Sequence, residues 1–421
     1  MHIAFFNRSY YPDATATGQL LTDLCEDLVR EHGCQVSVVA GYPLQPTAEM
    51  KVGRAIVGRQ QHNGVSIYRA RGTRFSKARF IGRVSNYLTY FLSACYAGLR
   101  LRRPDVVVAL TDPPIIGLAA WMTGVRFRSP FVMAFKDLFP EVTVLMQDFQ
   151  SPMINRVLQQ VNRFLVKRAA RSVALGETMR MRLIENKGAP RDRTVVIADW
   201  ADTTAITPES KDNSFAREHS LHDRFVVMHS GNLGLSQSLE TLVGAAALLS
   251  DLPDVEVVFV GEGVKKADLQ AQVAALALPN VTFLPFTPKE RLRESFGTAD
   301  VFVISLQRGM AGYIVPSKLY GILAAGRPYV AAVEDDSEVA DLTRRHDCGR
   351  LAEPGDAKSL AAEIRAFHAD REMAKRCGAN ARALGLEFDR RGQVAKYMDL
   401  FRDVSTRPFE QAGARDAQQV S

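Results

Sequence analysis

Short runs of apolar, largely β-branched or aromatic residues recur along this chain, and amphipathic segments separate many of them. In the first half, these runs read IAFFN, QVSVVA, SIYRA, DVVVAL, FVMAF, SVALG and TVVIA. Strands that are almost continuously apolar and alternate with helices are typical of a parallel sheet covered on both faces. The pattern therefore predicts an α/β domain of the doubly wound class.

The alternation restarts in the second half. A polar stretch, KDNSFAREHSLHDR, is followed by the runs FVVMHSG, VEVVFVG, VTFLPF, DVFVISL and YVAAV. A chain of 421 residues is too long for one ordinary core. We predict two Rossmann-like domains, residues 1–200 and 201–388, the first completed by a C-terminal helix at 389–404. The last residues, 405–421, have few apolar side chains and are predicted to be disordered.

Composition excludes several classes of protein. The five cysteines are scattered without a C-x-x-C spacing, which predicts reduced thiols in the cytoplasm rather than disulfides or a zinc site. The N-terminus has no signal-peptide pattern, and the apolar stretch 87–99 is shorter than the ~18 to 20 residues that span a bilayer. The net charge of +7 favours an anionic ligand or a membrane surface.

The second half opens with a glycine-rich loop. Gly231, Asn232 and Gly234 follow the strand FVVMHS and precede a helical segment. Small residues let main-chain amides approach a phosphate, and a helix N-terminus adds partial positive charge. The loop is either a diphosphate cradle or a tight turn whose glycines serve only the backbone.

A second loop of this kind carries Gly261, Glu262 and Gly263, followed by two lysines. Lys266 occupies the position where a dinucleotide-binding fingerprint has its third glycine, so the sequence disfavours a nicotinamide-dependent dehydrogenase. Lys265 and Lys266 are more typical of a solvated helix face.

The most informative segment is VPSKLYGILAAGRP at 315–328. Ser317 is predicted to cap the helix that follows, and Lys318 adds a cation beside the exposed amides. Arg308 could supply a second charge. These features predict an anion site, with a capped helix bearing a surface lysine as the alternative.

Together with YYPDATATGQLLTDL, KDLFPE, ALGETMRMRL, DWADTTAITP and SGNLGLSQSLETL, this segment gives the chain a family resemblance. In order and spacing it resembles the retaining GT-B glycosyltransferases of family 4, nearest to bacterial transferases of the fucosamine and colanic-acid type, over about residues 1–400. The resemblance implies transfer from a nucleotide sugar, expected to be UDP-linked, to a lipid-linked saccharide in surface polysaccharide synthesis. No cofactor and no metal are expected, since the chain lacks a D-x-D pair and a His/Cys set with metal-ligand spacing.

The resemblance also implies site residues. Asp137 would face the reacting sugar and Glu141 would be the acid that follows it, although both carboxylates could equally be caps or ion-pair partners. Gly18 would approach the donor from the first domain. The expected donor-binding set is Gly18, Gly231, Asn232, Glu262, Phe286, Arg308, Ser317, Lys318, Leu319 and Glu338.

The chain departs from the family pattern at three positions. Many relatives carry two glutamates eight positions apart, the second bonding the ribose, where this chain has Tyr313 and Gly321. Either another residue, such as Glu338, holds the ribose, or activity is impaired and the chain is a nucleotide-sugar-binding scaffold of a polysaccharide assembly complex. Lys136 stands where many relatives have histidine or glutamine.

A basic, aromatic segment spans residues 69–103 and contains no Asp or Glu. Such a segment suits an anionic bilayer interface, so we predict peripheral docking on the inner face of the cell membrane. The alternative is a core helix flanked by a solvated basic loop. Nucleic acid is disfavoured because no recognition motif accompanies the charge.

Overall fold

The structure, a computed structural model, describes residues 1–13, 15–43, 55–73, 75, 80–145 and 151–406, without the side chains of residues 80, 81 and 83. The chain forms two compact units. One comprises Met1–Ala198 together with the chain from Gln393, and the other comprises Asp199–Gly392.

The first unit is built on eight strands. In chain order its elements are β1 (His2–Phe6), α1 (Ala16–Arg30), β2 (Gln35–Gly41), β3 (Val57–His62), β4 (Val65–Ala70), α2 (Phe80–Leu99), β5 (Val106–Ala109), α3 (Ile116–Phe127), β6 (Phe131–Ala134), α4 (Glu141–Leu145), α5 (Pro152–Arg168), β7 (Arg171–Ala174), α6 (Glu177–Lys187) and β8 (Thr194–Val196). The sheet order is β3-β4-β2-β1-β5-β6-β7-β8. The strand order reverses between β1 and β5, so their carboxyl ends flank the position where doubly wound sheets bind ligands.

One edge of this sheet differs from the expected all-parallel pattern. β3 and β4 form an antiparallel hairpin. Its two turn residues, Asn63 and Gly64, have φ values of 45° and 81°. Two left-handed residues in sequence are the mark of a type I′ turn, which Asn-Gly favours. The SIYRA run is thus a strand, as predicted, but it is paired with an antiparallel partner that the apolar pattern did not reveal.

The second unit is a six-stranded parallel sheet. Its elements are α7 (Ser214–Glu218), β9 (Phe225–Ser230), α8 (Glu240–Leu248), β10 (Val255–Val260), α9 (Lys266–Ala275), β11 (Val281–Leu284), α10 (Leu292–Thr298), β12 (Val301–Ser305), α11 (Lys318–Ala324), β13 (Tyr329–Ala332), α12 (Glu338–His346), β14 (Gly349–Ala352), α13 (Ala357–Ala369) and α14 (Arg371–Glu387). The order β11-β10-β9-β12-β13-β14 reverses between β9 and β12. The loops that leave these two strands therefore occupy the ligand-binding edge of this sheet.

The last helix, α15 (Arg390–Thr406), returns to the first unit. There the Phe401 ring meets the Phe5 ring of β1 edge-on at 6.0 Å, and Arg171 pairs with Asp403 at 2.6 Å. The predicted disordered tail is wrong for Ser405 and Thr406, which continue this helix, and its remaining residues lie outside the described part of the chain. Within the described residues, no helix combines the length and apolar character needed to cross a membrane.

Candidate active site

Two glycines bring the loops after β9 and β10 into direct contact. Gly231 has φ of 127° and Gly261 has φ of 147°, a region that side chains disfavour. A Cβ atom at Gly261 would lie 1.9 Å from the carbonyl oxygen of Gly231. The Gly231 amide in turn donates to the carbonyl of Val260 at 2.9 Å. Only glycine fits at residue 261, and the two backbones pack without a side chain between them.

Further main-chain contacts fix the same loop. A Cβ at Gly263 would lie 2.2 Å from the carbonyl oxygen of Leu233, whose amide donates to the carbonyl of Glu262 at 2.9 Å. The Gly234 amide donates to Gln237 Oε1 at 3.3 Å. Asn232 is exposed at the tip of the loop. The loop, called the glycine cradle below, is therefore a defined main-chain structure with an accessible tip, a geometry compatible with both a diphosphate cradle and a tight turn.

The side chain nearest this cradle is Lys318, at the start of α11. Its Cε and Nζ atoms both lie 3.7 Å from the position of a Cβ at Gly231. Nζ donates to Nε2 of His229 at 2.8 Å. His229 is completely buried at the end of β9, and burial, reinforced by the charge of Lys318, holds its pKa well below the ordinary value. The imidazole is therefore neutral and can accept this hydrogen bond.

Lys318 itself carries a charge without a counter-charge. Burial lowers its pKa to about 7. Among the residues that the structure describes, no carboxylate lies within ion-pair distance of Nζ. A cation that is desolvated and unpaired, beside an accessible main-chain cradle, is suited to an anionic ligand.

The expected cap on α11 is wrong. Ser317 has helical backbone angles, φ −59° and ψ −23°, and its side chain makes no capping hydrogen bond. A capping residue normally has an extended conformation, which aims its oxygen at the following amides. Leu319 is completely buried, so only its main chain can face a ligand. The helix ends as predicted, with Gly326 in the left-handed region at φ 63°.

The loop after β12 is held by carboxylates of the protein itself. Oε2 of Glu334 accepts hydrogen bonds from the amides of Gly309 and Ala311, at 2.9 and 3.2 Å. Arg308 pairs with Glu353 at 3.1 Å, and both side chains are exposed. Arg308 is therefore accessible to a ligand, but it already has a partner.

Glu262 and Phe286 lie in the loops that follow β10 and β11, shortly after each strand ends. Glu262 pairs with Lys266 at 2.6 Å, and Lys265 pairs with Glu240 at 2.7 Å, so carboxylates of the protein engage both lysines, whose side chains are partly exposed. Phe286 is exposed, and its Cε1 lies 3.4 Å from the Cβ position at Gly261. The structure thus places an exposed aromatic ring beside the glycine cradle.

A phenyl ring lies against the position where relatives have the second glutamate. A Cβ at Gly321 would lie 2.9 Å from Cε2 of Phe296. Glu338 is the first residue of α12. The pKa of Tyr320 is raised mainly by burial, and the charges of Asp199 and Glu338 raise it further. Tyr313, in the loop before α11, is partly exposed. The charge of Glu338 thus acts on Tyr320, which directly precedes Gly321.

In the first unit, Glu141 belongs to an ion-pair network. Both of its carboxylate oxygens accept from Nζ of Lys187, at 2.7 and 2.6 Å. The Lys187 side chain is fully buried and also donates to Phe139 O at 2.8 Å and to Gln159 Oε1. Burial lowers the pKa of Lys187, and the Glu141 carboxylate opposes that effect. This geometry favours the structural alternative for Glu141.

Asp137 is partly exposed, next to the buried Lys136, in the loop that leaves β6. Gly18 lies in the first turn of α1, where its amide donates to Oγ1 of Thr15 at 3.3 Å. Both residues follow strands or begin helices at the carboxyl edge of the sheet.

Sequence reasoning missed a polar network at the same edge. Arg8 pairs with Asp112 at 3.1 Å, and Ser9 Oγ donates to the same carboxylate at 2.9 Å. The buried Asn7 accepts from the Asp112 amide at 3.2 Å and donates to Ser9 O at 2.7 Å. These residues follow β1 and β5, the two strands at the switch point, which is the signal that could have found them.

The basic segment 69–103 is not one surface. Arg69 and Tyr90 are buried, and Arg69 donates to the carbonyls of Gly41 and Tyr11, so neither residue can contact a membrane. Burial lowers the pKa of Arg69 to about 10. The described part of the chain does not include residues 74 and 76–79 or the side chains of Phe80 and Arg83.

A metal site would need several ligating side chains close together. Within the described residues, no group of three or more His, Cys, Asp or Glu side chains could hold a metal ion.

Comparison with known proteins agrees with this architecture. The model of the family "Glycosyl transferase 4-like domain" matches residues 16–200, and that of "Glycosyl transferases group 1" matches residues 210–384. A probable glycosyltransferase of Pseudomonas aeruginosa, WbjE, is 28% identical over 68% of this chain and 72% of its own. The putative colanic acid biosynthesis glycosyltransferase WcaI of Escherichia coli is 23% identical over 87% of this chain and 91% of its own.

Solved structures share the fold. HepE of Anabaena, in complex with UDP-glucose, superposes with a TM-score of 0.72 at 17% identity, over 96% of this chain and 100% of its own. Sucrose-phosphate synthase of Thermosynechococcus elongatus gives 0.76 at 16% identity, over 96% and 99%. Since the two family models together span both units, the chain belongs to the group 1, family-4-like glycosyltransferases and has their GT-B fold.

Proposed function

We propose that this glycosyltransferase moves a sugar, with retention of configuration, from a UDP-linked donor to a lipid-linked saccharide during surface polysaccharide synthesis on the inner face of the cell membrane. The observation that carries the proposal is the ammonium of Lys318. It has no carboxylate partner among the described residues and lies against Gly231, at the switch point of the second sheet.

The chemistry requires stabilisation of a leaving group. When the sugar–phosphate bond breaks, its electron pair moves to the diphosphate, where negative charge develops. Preorganised amides and a desolvated cation stabilise that charge more strongly than water does. Lys318 and the main chain around Gly231 would hold the diphosphate. In the retaining reaction, the acceptor hydroxyl attacks from the same face and its proton passes to the departing phosphate oxygen.

The donor and pathway parts of the proposal rest on similarity. HepE was crystallised with UDP and with UDP-glucose, which supports a uridine diphosphate donor. WcaI is described as a colanic acid biosynthesis enzyme, and WaaG, another structural neighbour, as a lipopolysaccharide biosynthesis enzyme. Because a lipopolysaccharide carries its saccharide on a lipid, a lipid-linked saccharide is the proposed acceptor.

A thermal-shift screen of UDP, GDP and a panel of nucleotide sugars tests the donor site. A ligand at about one hundred times its dissociation constant stabilises the folded protein by ~2.7 kcal/mol. Lys318→Ala should remove most of the shift, whereas Lys358→Ala, at an exposed position of the same unit, should retain it. An undiminished shift in Lys318→Ala would contradict the diphosphate assignment.

A second candidate function is that of a nucleotide-sugar-binding scaffold. The observation that favours it is Gly321, which cannot hold a ribose and lies against Phe296. The same screen separates the two candidates when it is combined with an assay for UDP release. Binding without turnover for every donor, with and without lipid-linked acceptors, would support the scaffold.

A further inference from the structure

Three helices of the first unit form one continuous layer. A Cβ at Gly98 of α2 would lie 2.3 Å from Oγ1 of Thr123 in α3, so the two backbones are in close contact. On the other side of α3, the ring of Trp121 meets that of Phe164 in α5 edge-on, with centroids 4.8 Å apart. The outward sides of α2, α3 and α5, named here the three-helix face, are therefore adjacent.

This layer contains no acidic residue. The chain has 46 Asp and Glu residues, yet none falls within α2, α3 or α5. Every other described helix of ten or more residues carries at least one, including α1, α6, α9 and α13 to α15. Among the described helices of ten or more residues, the absence of Asp and Glu is thus confined to three that are neighbours in space but separated along the chain.

Apolar side chains are exposed on the same layer. On α2, Leu88, Leu92, Tyr96 and Leu99 follow one another at spacings of four, four and three, and they form a single outward stripe. Leu88 is 50% exposed and Leu92 is 59% exposed. Met122 and Val125 of α3 and Met153 and Val157 of α5 are exposed as well. A grouping of this kind marks an interaction surface rather than a solvated one.

Basic residues gather at one end of the face. Because each helix leaves the carboxyl edge of the parallel sheet and returns to its amino edge, the C-termini of α2, α3 and α5 lie at the same edge. Arg102, Arg103, Arg126, Arg128 and Lys167 are exposed there, and none has a carboxylate within ion-pair distance among the described residues. The helix dipole explains a basic residue in a last turn, but it explains neither the missing carboxylates nor the apolar stripe.

We propose that the three-helix face docks on an anionic phospholipid bilayer. The apolar stripe would enter the interfacial region while the basic end contacts lipid phosphates. A second copy of the chain is a poorer occupant, since pairing this face with itself would oppose like charges. The inference deepens the proposed function by naming the surface that would bring the enzyme to a lipid-linked acceptor. It involves α3 and α5, which lie outside the segment 69–103.

Flotation with vesicles tests docking without any sugar transfer. The full chain is mixed at low salt with vesicles of phosphatidylcholine, or of phosphatidylcholine with 30% phosphatidylglycerol, in the absence of donor and acceptor. We expect recovery only with the anionic vesicles. Arg102→Glu with Arg128→Glu should lower the partition coefficient at least tenfold, and Leu88→Ser with Leu92→Ser should lower it severalfold.

Matched variants keep the test specific. Lys358→Glu with Lys375→Glu changes the net charge equally on the second unit, and Leu276→Ser with Leu386→Ser removes two leucines that are equally exposed there. Equal losses in the face and control variants, or equal binding to neutral vesicles, would overturn the proposal. So would a dimer in size-exclusion chromatography that Leu88→Ser with Leu92→Ser abolishes. Because donor binding is measured separately by thermal shift, failure of docking and failure of the proposed transfer give different results.

Discussion

The imidazole Nε2 of His229 lies 2.8 Å from the Nζ atom of Lys318, although the two residues are 89 positions apart in the chain. The ring is locked inside the sheet at the end of β9, and the amine projects from the start of the helix after β12. A rigid neutral acceptor therefore fixes the position of a flexible cation. In the proposed reaction His229 is a positioning residue, since it would act on a donor phosphate only through Lys318.

Replacing His229 by Phe keeps an aromatic ring but removes the acceptor. A hydrogen bond to a charged group contributes about 1.5 to 3 kcal/mol, so we expect roughly tenfold or greater weakening of UDP binding in calorimetry. The His229→Phe change should have little further effect in a Lys318→Ala background, because both substitutions act on one interaction. Fully additive losses would show that His229 acts independently of Lys318.

Donor affinity should depend on pH through Lys318. Its pKa of about 7 means that the amine loses its charge as the pH rises above neutrality. Binding of UDP should therefore be stronger near pH 7 than near pH 9, with proton uptake when binding occurs above pH 7. Calorimetry in buffers of different ionisation enthalpy measures that uptake, and Lys318→Met should abolish it.

Without ligand, the same group should have the opposite effect on folding. The folded pKa lies below the ordinary value of 10.5, so between about pH 7 and 10.5 the unfolded chain binds more protons. The contribution of Lys318 to the free energy of unfolding should therefore rise with pH over that window. Chemical denaturation of the wild type and Lys318→Met across this range checks the sign.

Glu141→Gln distinguishes a structural from a catalytic carboxylate. The substitution leaves the fully buried Lys187 ammonium without its counter-charge, which costs about 3 to 5 kcal/mol for a buried pair. We expect a clear loss of stability in urea denaturation, a turnover number close to that of the wild type, and recovery of stability when Lys187→Met is added. A large loss of turnover without loss of stability would instead identify Glu141 as catalytic.

Gly321→Glu tests whether the ribose contact of relatives can be restored. The new Cβ would lie 2.9 Å from Phe296, so the ring must move, and we expect a lower melting temperature with no gain in UDP affinity. Adding Phe296→Ala should relieve the clash and permit tighter binding. A gain from Gly321→Glu alone would mean that Phe296 yields easily.

The sequence predicted the sheets well because buried parallel strands are apolar on both faces and stand out as runs of Val, Ile and Phe. It missed β3, whose sequence VGRQQH is polar, although the Asn63-Gly64 turn beside it is a recognisable hairpin signal. The prediction that Ser317 caps α11 is wrong because the residue type alone does not reveal the backbone angles that a cap requires.

The environment of the site was less predictable. Lys318 was identified from its position in a motif, but its burial and its contact with His229 depend on the pairing of β9 with β12. Arg69 belongs to the basic segment that the sequence predicts to be a surface, yet it is buried, and it donates to Gln60 of the neighbouring strand and to the carbonyls of Gly41 and Tyr11. The pairing of Glu141 with Lys187 likewise joins helices that local pattern cannot relate.

The close approach of Gly261 to the carbonyl of Gly231 limits how this enzyme can be re-engineered. Any side chain at residue 261 would force the two loops apart and disrupt the glycine cradle, so a substitution there cannot change donor preference without damaging the site. Substitutions intended to change donor preference are therefore better placed at the rim, where Phe286 is exposed and does not lie between the two backbones. The closely packed frame and the exposed rim are thus separable targets for design.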